Sequence, residues 1–509
     1  MKINLIEYFE ETLKRCSDKI AVIEKDECET FNSLAQKAKK VATFLVKDLG
    51  TLNKPIAIYL PKCIAVVYSD IACTYSGNMY MNLDVKTPAE RIKNILELIQ
   101  PVAIISNNQY IKNIKAIIPN EIKILNLDLF DWNIAFDDDL LYASWGGLID
   151  TDPLCIINTS GSTGTPKGVV LNHRSFFDFI DRSLENFQFS NDEIIGSLSP
   201  VVFDIYSFEL CMLMAKSSTM VLIQEGMSAF PITILRLLQE QNVTFIFWVP
   251  TIMVNIANMK LLEQIALPSL QKVWFAGEVF PTKQFNYWRH LLPNTLFANL
   301  YGPIEITLDC TFYIVNREIQ DEEPIPIGFA YKNTDILILN EKNQKVTASN
   351  IEGELCVRGT SLAMGYYNNP EKTAAVFVQN PLNNSYPELI YRTGDLVYIN
   401  DLGEIVFKGR KDSLVKHMGY RIELGEIEHV IINTMKLVKN GCVVYNHSKK
   451  EVTLFYEADK ELSAGEFRSA IGKELPKYMI PTVYHYLEEL KRNTNGKIDR
   501  LYYNKSVND

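Results

Sequence analysis

Cysteine pairs, histidine clusters, long apolar runs and an excess of positive charge are all missing from this sequence, and each absence closes off a class of protein. The nine cysteines, Cys16, Cys28, Cys63, Cys73, Cys155, Cys211, Cys310, Cys356 and Cys442, are odd in number and form no CxxC pair. Most sit in apolar runs, which predicts reduced core thiols in a cytoplasmic protein rather than a disulfide framework. Only six histidines occur, without metal-ligand spacing, so no histidine-held metal is expected. No apolar run reaches the roughly 18 residues a membrane helix needs, and Met1-Lys2-Ile3-Asn4 opens no signal-peptide core. A net charge of −10 argues against nucleic acid as the main partner and leaves room only for a local basic patch. There is no internal repeat or low-complexity segment. What remains is a chain of 509 residues, 47% hydrophobic and rich in Tyr and Phe, with the composition of a globular enzyme and enough length for more than one domain.

Periodicity predicts helices over 5–17 and 32–48, with a strand at Ala21-Val22-Ile23 between them. From Ile56 strands and helices alternate, as in Ile56 to Leu60 and Val102 to Ser106, which predicts an open α/β sheet. Leu154 to Ile157 and Val169-Val170-Leu171 read as two further strands. Between them runs Asn158-Thr159-Ser160-Gly161-Ser162-Thr163-Gly164-Thr165-Pro166-Lys167-Gly168. Its small residues leave backbone N–H groups exposed, its hydroxyls add donors, and Lys167 supplies a mobile positive charge. That combination suits a polyphosphate; the composition alone also fits a surface turn. It is not a Walker loop, because Pro166 precedes the lysine and Gly168 follows it.

Downstream, polar residues stand out against apolar surroundings. Asp204, within Pro200 to Leu210, would be costly if unpaired; it either caps the following helix or meets a cationic ligand. Val243 to Pro250 predicts a strand with a turn, and Val273 to Glu278 repeats that design, with Gly277 where backbone can approach a ligand. Tyr301-Gly302-Pro303-Ile304-Glu305 follows a strand from Leu296 and alone fits a turn, as Gly394-Asp395 alone fits a strand-end turn. The charged stretch Gly409 to Lys416 separates two apolar strand signals and marks the expected domain boundary. Lys497 in isolation reads as a solvated surface charge.

Taken in chain order, these stretches resemble the motifs of the adenylate-forming superfamily, which includes acyl-CoA synthetases, luciferases and the adenylation domains of nonribosomal peptide synthesis. The likeness also takes in Phe31-Asn32-Ser33-Leu34, Tyr75 to Asp84, Gly353 to Gly359, Gly365 to Thr373, Gly419 to Glu428, Leu475 to Pro481 and Asn493 to Arg500. Ile304 replaces the usual Thr of one motif. The resemblance implies an α/β fold: a large N-terminal domain over 1–409, built of two stacked α/β sheets and a distorted β-barrel, a hinge at 410–412, and a small mobile C-terminal α/β domain over 413–509. It implies ATP and Mg2+. Thr159, Ser160, Gly161, Ser162, Thr163, Gly164 and Lys167 would hold phosphates. Asn299, Leu300, Tyr301 and Gly302 would pack against the nucleotide, Asp395 and Arg410 would reach its ribose, and Glu305 with Thr163 would hold Mg2+. Lys497 would be the catalytic cation, Asp412 the hinge residue, and Gly419 the residue brought to the site for thioester formation.

Within the family the chain looks most like stand-alone amino-acid adenylation enzymes and D-alanine carrier-protein ligases. In that branch an Asp at the position of Asp204 binds the substrate ammonium. The matching pocket residues are Ile205, Phe208, Phe247, Trp274, Ala276, Gly277, Leu300, Leu308 and Asp309. The bulk of Ile205, Phe208, Phe247 and Trp274 favours a small amino acid. Asp309 either binds a hydroxyl or amino group of the substrate, favouring serine or a small basic residue over alanine, or pairs with a neighbour. No carrier-domain motif follows, so the phosphopantetheine carrier is expected on a separate chain. The alternative is a carboxylic acid:CoA ligase using the same chemistry.

Overall fold

The computed structural model describes residues 2–118, 122–160, 166–411, 414–492 and 498–508. Two sheets with parallel centres organise the N-terminal part. In one, the strands Pro55–Tyr59 and Met79–Leu83 are buried throughout and pair in parallel, as near-continuous apolar runs do when helices cover both sheet faces. They continue on one side into Ala103–Ser106 and Lys123–Asn126 and on the other into Pro153–Thr159, Lys167–Asn172 and Gly365–Tyr366. The second sheet centres on Phe245–Trp248, Lys272–Phe275 and Leu296–Tyr301, all parallel. Ile194–Ser197, Thr219–Leu222 and Ile20–Glu24 extend it on one side, and Thr311–Ile314 turns back antiparallel on the other.

A single apolar core joins these layers. The helix Asp204–Lys216, buried along nearly all its length, lies inside that core. A third, antiparallel sheet of Thr334–Leu339, Gly353–Gly359, Leu389–Ile399, Phe377–Gln379 and Ile405–Arg410 curls against it. The architecture is therefore the expected one: two α/β sheets, a curled barrel-like sheet and a smaller C-terminal α/β region. That last region has its own core, from Val415 to Met479, under the sheet Asn440–Asn446, Glu451–Glu457 and Val483–Tyr486. It begins with a hairpin, Leu414–His417 against Tyr420–Glu423. Met418 and Gly419 form its turn, both at positive φ (54° and 83°), the geometry a two-residue hairpin needs to match strand twist.

Local expectations hold with adjustments. The predicted helices are Leu5–Cys16, capped by Asn4, and Phe31–Leu49, capped by Thr30. The strand expected from Val243 stops at Trp248, because Pro250 starts a helix, Pro250–Asn258, where a missing N–H costs nothing. Gly394-Asp395 is no strand-end turn: both lie inside Leu389–Ile399. All nine cysteines are free, six of them buried. Among the described residues no helix is long and apolar enough to cross a membrane.

Candidate active site

The strand ends converge on a cavity of about 140 Å³. One wall comes from Asn158, Thr159, Ser160 and Pro166, another from Gly302, Pro303 and Ile304, and a third from Val202 to Ile205 with Val249 and Gly277. Asn82, Asp84 and Arg91 line a fourth side, while Lys416, Gly419, Tyr420, Arg421 and Tyr478 of the C-terminal region close the top. Ligands of open α/β sheets collect at such carboxyl strand ends.

Thr159 and Lys167 belong to strands rather than to the loop between them; they are register partners in the antiparallel pair Pro153–Thr159 and Lys167–Asn172. Residues Gly161, Ser162, Thr163 and Gly164 lie outside the described residues, as do Asp412 and Lys497. The mobile cation expected at Lys167 is instead largely buried. Its ammonium faces Glu423 at 3.7 Å, and burial followed by the nearby Arg421 lowers its pKa. Ser160 donates its hydroxyl to the Arg421 carbonyl at 2.6 Å and accepts from the Glu423 N–H at 3.2 Å.

Glu305 is fully buried. One oxygen accepts from Tyr366 at 2.7 Å and the other meets Arg421 at 2.6 Å. Burial alone would push its carboxyl up, but Arg421 and then Lys167 hold it down at about 2. A carboxylate held ionised by neighbouring cations suits a hard divalent cation, whose ligands are oxygens.

Asp395 and Arg410 are register partners and form an ion pair at 2.5 Å, and the Tyr301 hydroxyl bonds the other Asp395 oxygen. Asn299 is turned away, its amide donating to the Pro326 carbonyl at 2.8 Å. Gly302 is required by close approach: a Cβ there would stand 2.1 Å from the Leu308 carbonyl oxygen. The ammonium of Lys416 sits 5.8 Å from the Tyr301 ring centre, with its pKa lowered by burial against the pull of Asp395.

Asp204 does not cap its helix. Phe203 holds the N-cap position and Asp204 is the first helical residue, its Oδ1 accepting from the Ile205 N–H at 3.0 Å. Burial raises its pKa to about 6, against the opposing effects of that N–H and Lys416. Of the ten expected substrate-pocket residues, Asp204, Ile205 and Gly277 line the cavity. Phe208, Phe247, Trp274, Ala276, Leu300, Leu308 and Asp309 stand behind it as a buried wall. Phe208 stacks on Trp274 at 5.5 Å and Phe247 meets both edge-on, so the aromatic side chains fill one another's space and shut the cavity behind Ile205. Asp309 is 2% exposed and accepts no hydrogen bond among the described residues; burial, then the neighbouring Asp204, pushes its carboxyl well up. Thr307 and Leu308 before it hold positive φ, 54° and 67°, strain that non-glycine residues store near functional sites.

Sequence reasoning gave no role to Asn82, Arg91, Lys416, Tyr420, Arg421 or Tyr478. The last four come from beyond the predicted boundary. The signal available was the charge alternation of Arg421 and Glu423 inside an apolar hairpin. Arg91, on the helix Ala89–Ile99, forms a buried ion pair with Glu426, a partnership 335 residues apart that no local pattern could expose.

Comparison with known proteins places this site in context. Zwittermicin A synthase ZmaJ of Bacillus cereus is 30% identical over 504 residues, covering 97% of this chain and 93% of that protein. The chain spans only 19% and 11% of the length of two other curated relatives it matches. Among solved structures, the Vibrio cholerae adenylation domain AlmE, in complex with glycyl-adenosine-5'-phosphate, has a TM-score of 0.85 at 20% identity, over 99% of this chain and 98% of that one. Holo-PA1221, a nonribosomal peptide synthetase protein with adenylation and peptidyl carrier domains, has a TM-score of 0.83 at 20% identity over 98% and 84%. The AMP-binding enzyme family matches residues 9–367. Most of the chain, including the strand pair around residue 160, Asp204 and Glu305, falls within that match, and the protein belongs to the AMP-binding, adenylate-forming enzymes.

Proposed function

We propose that this enzyme activates a small α-amino acid as its aminoacyl adenylate and passes it to the phosphopantetheine thiol of a separate carrier protein. The observation that carries this reading is the buried Asp204 on the cavity wall, backed by closed aromatic packing. A carboxylate in that position gains most from a substrate ammonium, and the packing leaves room for little beyond it. AlmE, bound to an aminoacyl adenylate, and PA1221, which carries a peptidyl carrier domain, support the two halves of the reaction by analogy.

In the first half, a carboxylate oxygen of the substrate attacks the α-phosphorus of ATP. The bond to the bridging oxygen breaks and pyrophosphate leaves. No general base is required, because the substrate carboxylate is ionised at neutral pH. Asp395 and Arg410 would hold the ribose, Tyr301 and Gly302 the adenine side, and Thr159, Ser160 and Lys167 with residues 161–164 the leaving phosphates. Glu305 and Thr163 would hold Mg2+, which when bound neutralises phosphate charge. Lys497 would bridge the substrate carboxylate and phosphate oxygens as charge develops.

In the second half, the thiol sulfur bonds to the acyl carbon, its proton passes to solvent, and AMP leaves with the electrons of the acyl–oxygen bond. We assign the division at 409, the hinge at 410–412 and rotation about Asp412 to the change between halves. Gly419 already lines the cavity, the placement expected for the second half. The test is ATP–pyrophosphate exchange by the full chain across amino acids and simple carboxylic acids. Exchange with small amino acids is expected; exchange confined to fatty or aryl acids would instead favour an acid:CoA ligase.

A further inference from the structure

The hairpin turn that closes the cavity is held by a residue outside the sites described so far. Glu278 follows Gly277 at the end of the strand Lys272–Phe275. Its Oε2 accepts from both the N–H, at 3.1 Å, and the hydroxyl of Thr251, in the first turn of the helix Pro250–Asn258. Val249, at the N-cap of that helix, offers no side-chain cap, so Glu278 satisfies donors that would otherwise be orphaned and places negative charge at a helix N-terminus. Its other oxygen, Oε1, accepts from the Gly419 N–H at 2.8 Å. One carboxylate thus ties the arriving turn of the C-terminal region to a fixed helix end.

The fit around that bond is close. Gly419 has φ +83°, and a Cβ there would stand 3.0 Å from a Val249 methyl. A side chain at this turn would be strained by the positive φ and crowded by Val249, and in this packed position the Gly419 N–H points at Glu278. A charge-assisted bond from a rigid base is well suited to select that orientation. We propose that Glu278 is a positioning residue for the thiol-transfer half-reaction: it locks Gly419 against Val249, which fixes the channel through which the thiol reaches the adenylate. This rests on the transfer step proposed above. Adenylation needs no such contact, since the turn is then expected to be elsewhere.

The test separates the two half-reactions in the full chain. Exchange with glycine, alanine or serine reads the first, and formation of aminoacyl-pantetheine from added pantetheine reads the second without involving carrier docking. Glu278→Ala is expected to lower kcat for pantetheine about tenfold or more, the loss of one charge-assisted bond, with the KM for pantetheine and the exchange rate within about threefold of wild type. Glu278→Gln keeps the shape of the site and one acceptor oxygen but turns an NH2 toward either Gly419 or Thr251, so its kcat for pantetheine is expected between those of Glu278→Ala and wild type. Equal losses in exchange and transfer, a change confined to KM, or unchanged transfer in Glu278→Ala would each overturn the proposal. Wild-type enzyme that exchanges but forms no pantetheine thioester would overturn the transfer reading itself, and Glu278's role with it.

Discussion

The two sides of the cavity are built on opposite principles. The side expected to hold phosphates is lined by paired charges: Lys167 faces Glu423, Glu305 faces Arg421, and Ser160 bonds the backbone of one strand of the closing hairpin, at Arg421 and Glu423. In the structure the C-terminal residues satisfy these groups; on the proposed function a phosphate or a cation would take their place. The substrate side is fixed. Phe208, Phe247 and Trp274 are fully buried and locked ring against ring, and Asp204 is anchored by the start of a buried helix. On the proposed function, the difference teaches where the enzyme needs freedom and where it needs shape: the half of the site that would release pyrophosphate is electrostatic, and the half that would choose a substrate is packed.

Breaking the packed side should have the largest effect. Trp274→Ala removes a ring that touches Phe187, Phe189, Phe208, Phe245 and Phe247, and a cavity of that origin is expected to cost about 3–5 kcal/mol in urea unfolding. If the ring were a loose pocket lining, the midpoint would barely move. Next comes the single charge set in that wall. Asp204→Ala should lower kcat/KM for amino-acid-dependent exchange by about 100-fold, the worth of a buried charge-assisted contact, and retained exchange would show that another group receives the ammonium.

The smallest effect is one of pH. With its carboxyl raised to about 6 by burial, Asp204 in the free enzyme is neutral below that value and charged above it. Charge is what the ammonium needs, so kcat/KM for the amino acid should fall as pH drops below about 6, approaching tenfold per unit. A profile flat down to pH 5 would mean that the substrate does not meet an ionised Asp204.

This contrast also explains what could be read from the sequence. The expectation of a phosphate side came from contiguous donors read through the family resemblance, since the Gly/Ser/Thr loop, Tyr301 to Glu305 and Gly394-Asp395 each fit a turn when taken alone. The sheets were legible through apolar periodicity. The pocket was legible only through resemblance, since Phe208, Phe247 and Trp274 come from a helix and two strands whose proximity is set by sheet order. In the structure three of the ten expected residues line the cavity and seven are buried outside its lining. The closing contacts of Arg421, Glu426 and Glu278 were illegible, being long-range ion pairs and hydrogen bonds between regions that each fold about their own core.

On the proposed function, a buried acid in a closed aromatic wall selects a small amino acid. ATP–pyrophosphate exchange with matched pairs tests this: glycine, alanine and serine against acetate, propionate and 3-hydroxypropionate at equal concentration. The amino acids are expected to exchange at least about 100-fold faster, the discrimination one buried charge contact supplies. Equal rates for an amino acid and its partner lacking the ammonium would contradict the account.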